Sequence, residues 1–176
     1  SNGFMQHIFI TKFNESNQII WAKAIYPHVS GAFSLSTMEI DRSGSMDALG
    51  PSGVSNIELA KEAIIRSIDL LQSNDRAGVV SFDSVGYWIA NIQDVRDRLG
   101  LQRLVGSLRA SGGTDILAGM NLVAGSIASD PSARKHIILL TDGGADPTGL
   151  VELSRQLNEN SQVTTSVIAI GGGPTF

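Results

Sequence analysis

The chain contains no cysteine, which excludes a disulfide framework, a thiolate metal site and a cysteine nucleophile together. It has no stretch near the roughly 18 consecutive apolar residues that a membrane-spanning helix requires, so no membrane insertion by this segment is expected. Its start, SNGFMQHIF, has neither the basic region nor the long apolar core of a secretion signal. Basic charge is scarce as well. Thirteen Lys and Arg stand against seventeen Asp and Glu, for a net charge of -4, whereas binding a nucleic-acid backbone needs a basic surface that releases counterions. The densest basic set, Arg96, Arg98, Arg103 and Arg109, is interleaved with Asp94, Asp97 and apolar residues and reads as a solvated helix face. Nucleic acid is therefore not the expected partner.

What is present is globular: 176 residues, 42% hydrophobic and 17% charged, enough for one domain with a full core. The stretch that organises it is Ser34 to Ser45, SLSTMEIDRSGS. Leu35 to Ile40 reads as a strand, and Asp41-Arg42-Ser43-Gly44-Ser45 as the turn leaving its carboxyl end. Asp41, Ser43 and Ser45 alternate with Arg42 and Gly44, so a gently turning loop can bring three oxygen-bearing side chains together. Such a set suits a hard cation. Magnesium favours few carboxylates, near-octahedral oxygen at about 2.0–2.1 Å and retained water. Asp, Ser and Gly are also ordinary turn residues, so this motif alone is equally a plain turn.

Two further stretches sit at equivalent hand-overs between elements. Ser111-Gly112-Gly113-Thr114-Asp115 opens a helical pattern after a glycine-rich loop, and Leu139-Leu140-Thr141-Asp142-Gly143-Gly144 ends a strand with an acid followed by glycines. With all three in order, the segment from Leu35 to Gly173 resembles the bacterial type of von Willebrand factor type A domain. That family's metal-ion-dependent adhesion site combines D-x-S-x-S, a downstream Thr and an Asp in a T-D-G segment. The matching residues are Asp41, Ser43, Ser45, Thr114 and Asp142. The resemblance implies a Mg2+ site, with Ca2+ or Mn2+ as alternatives. In it both serines bind directly, while Thr114 and Asp142 exchange direct for water-mediated contact as the domain changes state. Two Asp bring the formal charge near one divalent cation to about zero and the hydroxyls add none. The ion then stays electrophilic, and the expected partner is a protein that offers an Asp or Glu carboxylate as its last ligand.

The rest of the chain reads as alternating strands and helices. Residues 1–33 form an N-terminal extension, with His7–Phe13 and Gln18–Ala24 around a polar Asn14–Asn17 turn as a β-hairpin. Residues 34–176 form the main domain. Ser55 or Asn56 caps a helix whose Ile57, Ala60, Ile64, Ile68 and Leu71 form one apolar stripe. Arg76–Phe82 and Tyr87–Ile92 are strands separated by only Asp83-Ser84-Val85-Gly86, too few residues for a parallel crossover, so they pair antiparallel. Helical patterns follow at Asp94–Ala110 and Asp115–Ala128, an aliphatic strand at Ile137–Leu140, a helix at Gly149–Asn160 capped by Thr148, and a strand at Val163–Ile170. This order predicts a Rossmann-like α/β fold with an open, mostly parallel sheet, one antiparallel edge strand and helices on both faces. The resemblance implies a further helix and strand, which this chain lacks. Compartment stays open, with a lean toward an extracytoplasmic or membrane-associated protein through segments outside the chain.

Some residues carry competing readings. Asp115 reads as a helix cap ahead of a role near the metal, Asp83 and Asp146 as turn acids, and Arg42 as pointing to solvent or to a nearby acid. Glu39 fits worst. A buried unpaired carboxylate is costly, so either Lys23, Lys61 or His136 pairs with it or the strand is less buried there. Functionally, a metal-dependent binding module without chemistry of its own leads, because His7, His28 and His136 all lie outside the three loops and leave no general base. An accessory subunit of an ATP-driven machine is the alternative. It has no phosphate-binding G-x-x-x-x-G-K-[ST] motif of its own, and Gly171-Gly172-Gly173 reads as a turn. A phosphatase-like hydrolase with Asp41 as nucleophile ranks last, because the position two residues on, where such enzymes commonly carry a second acid, is Ser43.

Overall fold

The computed structural model describes residues 8–13, 19–25, 34–50, 52–143 and 145–171, with side-chain surroundings from Ser34 onward. The strands β1 (Ile8–Phe13) and β2 (Ile19–Ile25) pair antiparallel in a two-stranded sheet. The Asn14–Asn17 turn expected between them lies outside the described residues. The main sheet has five strands: β3 (Ser34–Asp41), β4 (Arg76–Phe82), β5 (Gly86–Asp94), β6 (Arg134–Thr141) and β7 (Val163–Ala169). Their order is β5-β4-β3-β6-β7, parallel except for the antiparallel β4–β5 pair at one edge.

Alternation along each strand sends its side chains to two opposite layers. Met38, Ile40, Ala77, Val79, Ile138 and Leu140 pack with the helices α1 (Asn56–Leu70) and α2 (Arg98–Gly106). Leu35, Val80, Phe82, Ile137, Leu139 and Val163 pack with α3 (Ile116–Ser129) and α4 (Leu150–Ser161). The stripe Ile57, Ala60, Ile64 and Ile68 is buried on α1, as its spacing requires. β6 is buried from His136 to Thr141, which accounts for its unbroken aliphatic run.

Three local expectations change. The helix expected at Asp94–Ala110 is only α2, because β5 continues to Asp94 through its pairing with Arg76, and Asp97 then caps the helix by accepting from Gly100 N at 2.8 Å. Thr148 does not cap α4. Gly149 occupies that position at φ +83°, while Asp146 accepts from Thr148 N in a side-chain turn. Glu39 is fully buried, and neither carboxylate oxygen has a hydrogen-bond partner among the described residues. Lys61 instead pairs with Glu58 and donates to Leu108 O, and His136 points to the opposite layer, where Nδ1 meets Thr164 Oγ1. The side chain of Lys23 lies outside the described residues.

Strand order reverses at β3, whose successors leave in opposite directions: β4 on one side, β6 on the other. In open α/β sheets a crevice forms at the carboxyl ends of the strands where the order reverses, and ligands bind there. The loops after β3 and β6 flank that crevice.

Candidate metal centre

Asp41 is the last residue of β3 and fully buried, and the backbone turns immediately beyond it. Its Oδ1 accepts from Ser43 N at 2.8 Å, the short-range turn that Asp side chains favour. Its Oδ2 accepts from Thr141 Oγ1 at 2.6 Å, which ties the end of β3 to the end of β6. Ser43, Ser45 and Asp142 continue the cluster: Ser43 Oγ and Ser45 Oγ lie 3.0 Å apart, and Ser45 Oγ donates to Asp142 Oδ1 at 3.1 Å. Asn56, the first residue of α1, donates from Nδ2 to Asp142 Oδ2 at 3.3 Å. Asp41, Ser43, Ser45 and Asp142, 97 residues apart between Ser45 and Asp142, are thereby joined in one hydrogen-bonded group.

The glycine loop is held against this group by backbone. Ser111 N donates to Arg42 O at 2.6 Å and Gly44 N to Gly112 O at 3.0 Å. Gly112 has φ +85°, and a Cβ there would come within 3.0 Å of the Asp83 side chain, so both conformation and space call for glycine. Thr114 follows two residues on, half-buried, and its hydroxyl makes no hydrogen bond to the other four residues. Its loop is in place, while its side chain is not part of the hydrogen-bonded group. Asp115 caps α3, accepting from Ala118 N at 3.0 Å, which is the capping role its position suggested.

Burial pushes the Asp41 carboxyl above its usual range, hydrogen bonds from Thr141 and Ser43 oppose that, and the charge of nearby Asp142 adds to the rise. A buried acid raised by the charge of a second carboxylate, across a cluster of hydroxyls, forms a place where a cation would relieve repulsion. All the gathered side-chain donors are oxygens, which suits a hard cation rather than a thiophilic or imidazole-binding one. Among the described residues no group of three or more His, Cys, Asp or Glu is arranged to hold a metal. A cation here would therefore be held in large part by hydroxyls. Asp41, Ser43, Ser45, Asp142 and, from its neighbouring loop, Thr114 are the residues that could hold it.

Thr141 and Asn56 are the site residues that motif reading passed over. In the sequence Thr141 reads as part of the strand-ending segment and Asn56 as a helix cap. Their polar character at the end of a buried strand and the first turn of a helix was the available signal. Asp83, read as a turn acid, has a second role: its Oδ2 accepts from Arg42 Nε at 2.9 Å and Nη2 at 2.7 Å, while Oδ1 accepts from Val85 N. Burial alone raises Asp83, but the Arg42 hydrogen bond, the Val85 N–H and the Arg42 charge together hold it below the usual carboxylate range.

The fold defines the class first: a Rossmann-like, open α/β sheet with one antiparallel edge strand and helices on both faces. Within that class the chain belongs to the von Willebrand factor type A domain family, which it matches over residues 38–145. The chain is 35% identical over 105 residues to an uncharacterized protein of Synechocystis sp., a match covering 59% of this chain and 24% of that protein's length. Among solved structures it is similar to an aerotolerance-related membrane protein from Bacteroides fragilis, with 25% identity, a TM-score of 0.68, and coverage of 78% of this chain and 68% of that one. It is also similar to the protein BatB from Bacteroides thetaiotaomicron, with 26% identity, a TM-score of 0.67, and coverage of 77% and 66%. No helix among the described residues is long and apolar enough to cross a membrane.

Proposed function

We propose that this chain is a Mg2+-dependent protein-binding module without catalytic activity, in which a partner's Asp or Glu carboxylate completes the metal shell. The observation that supports this most directly is the group of Asp41, Ser43, Ser45 and Asp142 at the strand-order reversal, hydrogen-bonded across two strand ends. When bound, the cation supplies a Lewis-acidic point that attracts an external carboxylate. This chain's residues do the rest. Thr141 and the Ser43 N–H orient Asp41, Asn56 orients Asp142, and the glycine loop brings Thr114 alongside through backbone bonds.

Binding is favoured over hydrolysis by how Asp41 is used. Both of its oxygens are engaged by groups of the protein, the position two residues on is Ser43, and the described histidine, His136, lies in the α1-side layer rather than at the loops. Calorimetric titration of the chain with Mg2+ should give one site in the wild type and none in Asp41→Ala, with circular dichroism confirming that the variant is folded. Equal Mg2+ heats in the two proteins would remove the proposal.

A further inference from the structure

Arg42 lies between two of the candidate ligands and makes more than a surface ion pair. Its guanidinium uses Nε and Nη2 on a single oxygen of Asp83 and lies 5.0 Å from the ring centroid of Tyr87. Nη1 has no hydrogen-bond partner among the described residues, and the side chain is 28% exposed. Asp83 in turn anchors the glycine loop, since Asp115 N donates to Asp83 O at 2.6 Å. The arginine is thus clamped from one edge and one face, and its other edge is open.

The surroundings give that open edge a purpose. The segments 41–47, 83–87, 111–115 and 142–149 around the crevice contain Asp41, Asp47, Asp83, Asp115, Asp142 and Asp146, and Arg42 is their only basic residue. An acidic partner approaching such a rim is repelled everywhere except at a bound cation and at Arg42. Arginine held in a fixed orientation is well suited to a second carboxylate, because its planar fork pairs with carboxylate geometry and little side-chain freedom remains to be lost. Beside it, Val85 and Tyr87 are 49% and 42% exposed on the β4–β5 turn and the start of β5, an apolar shoulder next to the charge.

We propose that the open edge of Arg42 is a second carboxylate-binding point. The partner is then an acidic protein segment that presents two acids, one to the metal and one to Arg42, with an apolar side chain against Val85 and Tyr87. This rests on the metal-dependent reading above and adds to it the composition of the partner. A lone carboxylate contact would bind weakly, and the second point removes that weakness. The cost of association is large for a single ligand, and a second charge-assisted contact a short distance away offsets part of it.

The test is selection from a random twelve-residue peptide library displayed on phage, panned on the full chain in Mg2+ and eluted with chelator. Wild-type protein should enrich peptides with at least two acids and a neighbouring apolar residue. Arg42→Gln should enrich peptides with one required acid, and should bind a wild-type-selected peptide at least tenfold more weakly while its Mg2+ affinity stays within about threefold. The Val85→Ser, Tyr87→Ser double variant leaves the Arg42–Asp83 pair intact and should lose only the apolar preference. Two-acid enrichment that persists unchanged in Arg42→Gln overturns the proposal, as does a failure of wild-type protein that binds Mg2+ to enrich any chelator-released peptide. If Arg42→Gln does not fold, an unchanged apolar preference in the double variant overturns it instead. Absence of Mg2+ binding in the wild type removes the metal-dependent reading together with this one, and so is distinguishable from either failure above.

Discussion

Two carboxylates stand two residues apart on the same face of β3, and the protein treats them in opposite ways. Asp41, at the strand's end, accepts from Ser43 N and Thr141 Oγ1. Glu39, one step deeper, has no partner for either oxygen among the described residues, and it lies between Val80 and Leu139 on the neighbouring strands under α3. Burial accordingly raises Glu39 from 4.5 to about 8, so at neutral pH it carries its proton. The difference shows that position along a strand sets the state of an acid. At the carboxyl end, turns and neighbouring strand ends supply donors. In the strand's middle the backbone donors are already used by the sheet, and an acid avoids the cost of burial by staying protonated.

Four ways of testing the contrast follow, from the largest expected effect to the smallest. Asp41→Ala, as above, should abolish Mg2+ binding, whereas Glu39→Gln should leave it measurable. The second is a pH dependence of stability. Glu39 binds its proton in the folded state up to about 8 but in the unfolded state only to about 4.5. Stability from this group is therefore greatest below about 4.5 and falls as pH rises toward 8, by about 1.4 kcal/mol per pH unit. Urea unfolding in chelator between pH 5 and 8 should show that slope in the wild type and a flatter one in Glu39→Gln. Equal slopes would mean that Glu39 is ionised in the fold.

The third would make Asp41 resemble Glu39. Thr141→Val keeps the shape of the strand end but removes the hydroxyl donor from Asp41 Oδ2, leaving one oxygen of a buried carboxylate without its partner. Loss of about 1–3 kcal/mol of stability is expected, with weaker Mg2+ binding by calorimetry. An unchanged midpoint and unchanged affinity would show that the Thr141 contact is incidental. The smallest effect is at Gly119 of α3, where a Cβ would stand 3.0 Å from both Glu39 Oε2 and the fully buried Phe82 ring. Gly119→Ala gains about 1 kcal/mol in helix propensity and loses about 1–3 kcal/mol to overpacking. A net destabilisation of about 1 kcal/mol should appear in thermal or urea unfolding. A more stable variant would mean that the floor of the Glu39 pocket yields.

Much of this arrangement was legible in advance. The 3.6-residue stripe from Ile57 to Ile68 and the Ile137–Leu140 run follow directly from which side chains must leave water. The antiparallel β4–β5 pair follows from a connection too short for anything else. Asp41, Ser43, Ser45 and Asp142 were legible because oxygen donors at strand ends leave a short-range pattern. The glycines of Gly112-Gly113 were legible because backbone approach requires them. What was not legible depends on neighbours far away in sequence. Asp97 as the cap that delays α2, Asn56 at Asp142, Thr141 at Asp41 and the Arg42–Asp83 pair all join residues through the sheet's lateral order, which leaves no local periodicity to read.

The amino-acid pattern by itself determined the alternation of strands and helices, the apolar faces that form two layers, and which loops bear oxygen donors. These depend on local spacing and on transfer of side chains out of water. Only the tertiary structure decided that the ends of β3 and β6 are neighbours, that Arg42 is clamped by Asp83 and Tyr87, and that Glu39 has no counter-charge among the described residues. Those outcomes depend on which strands lie side by side, and hydrogen bonds and charges act over only a few ångströms.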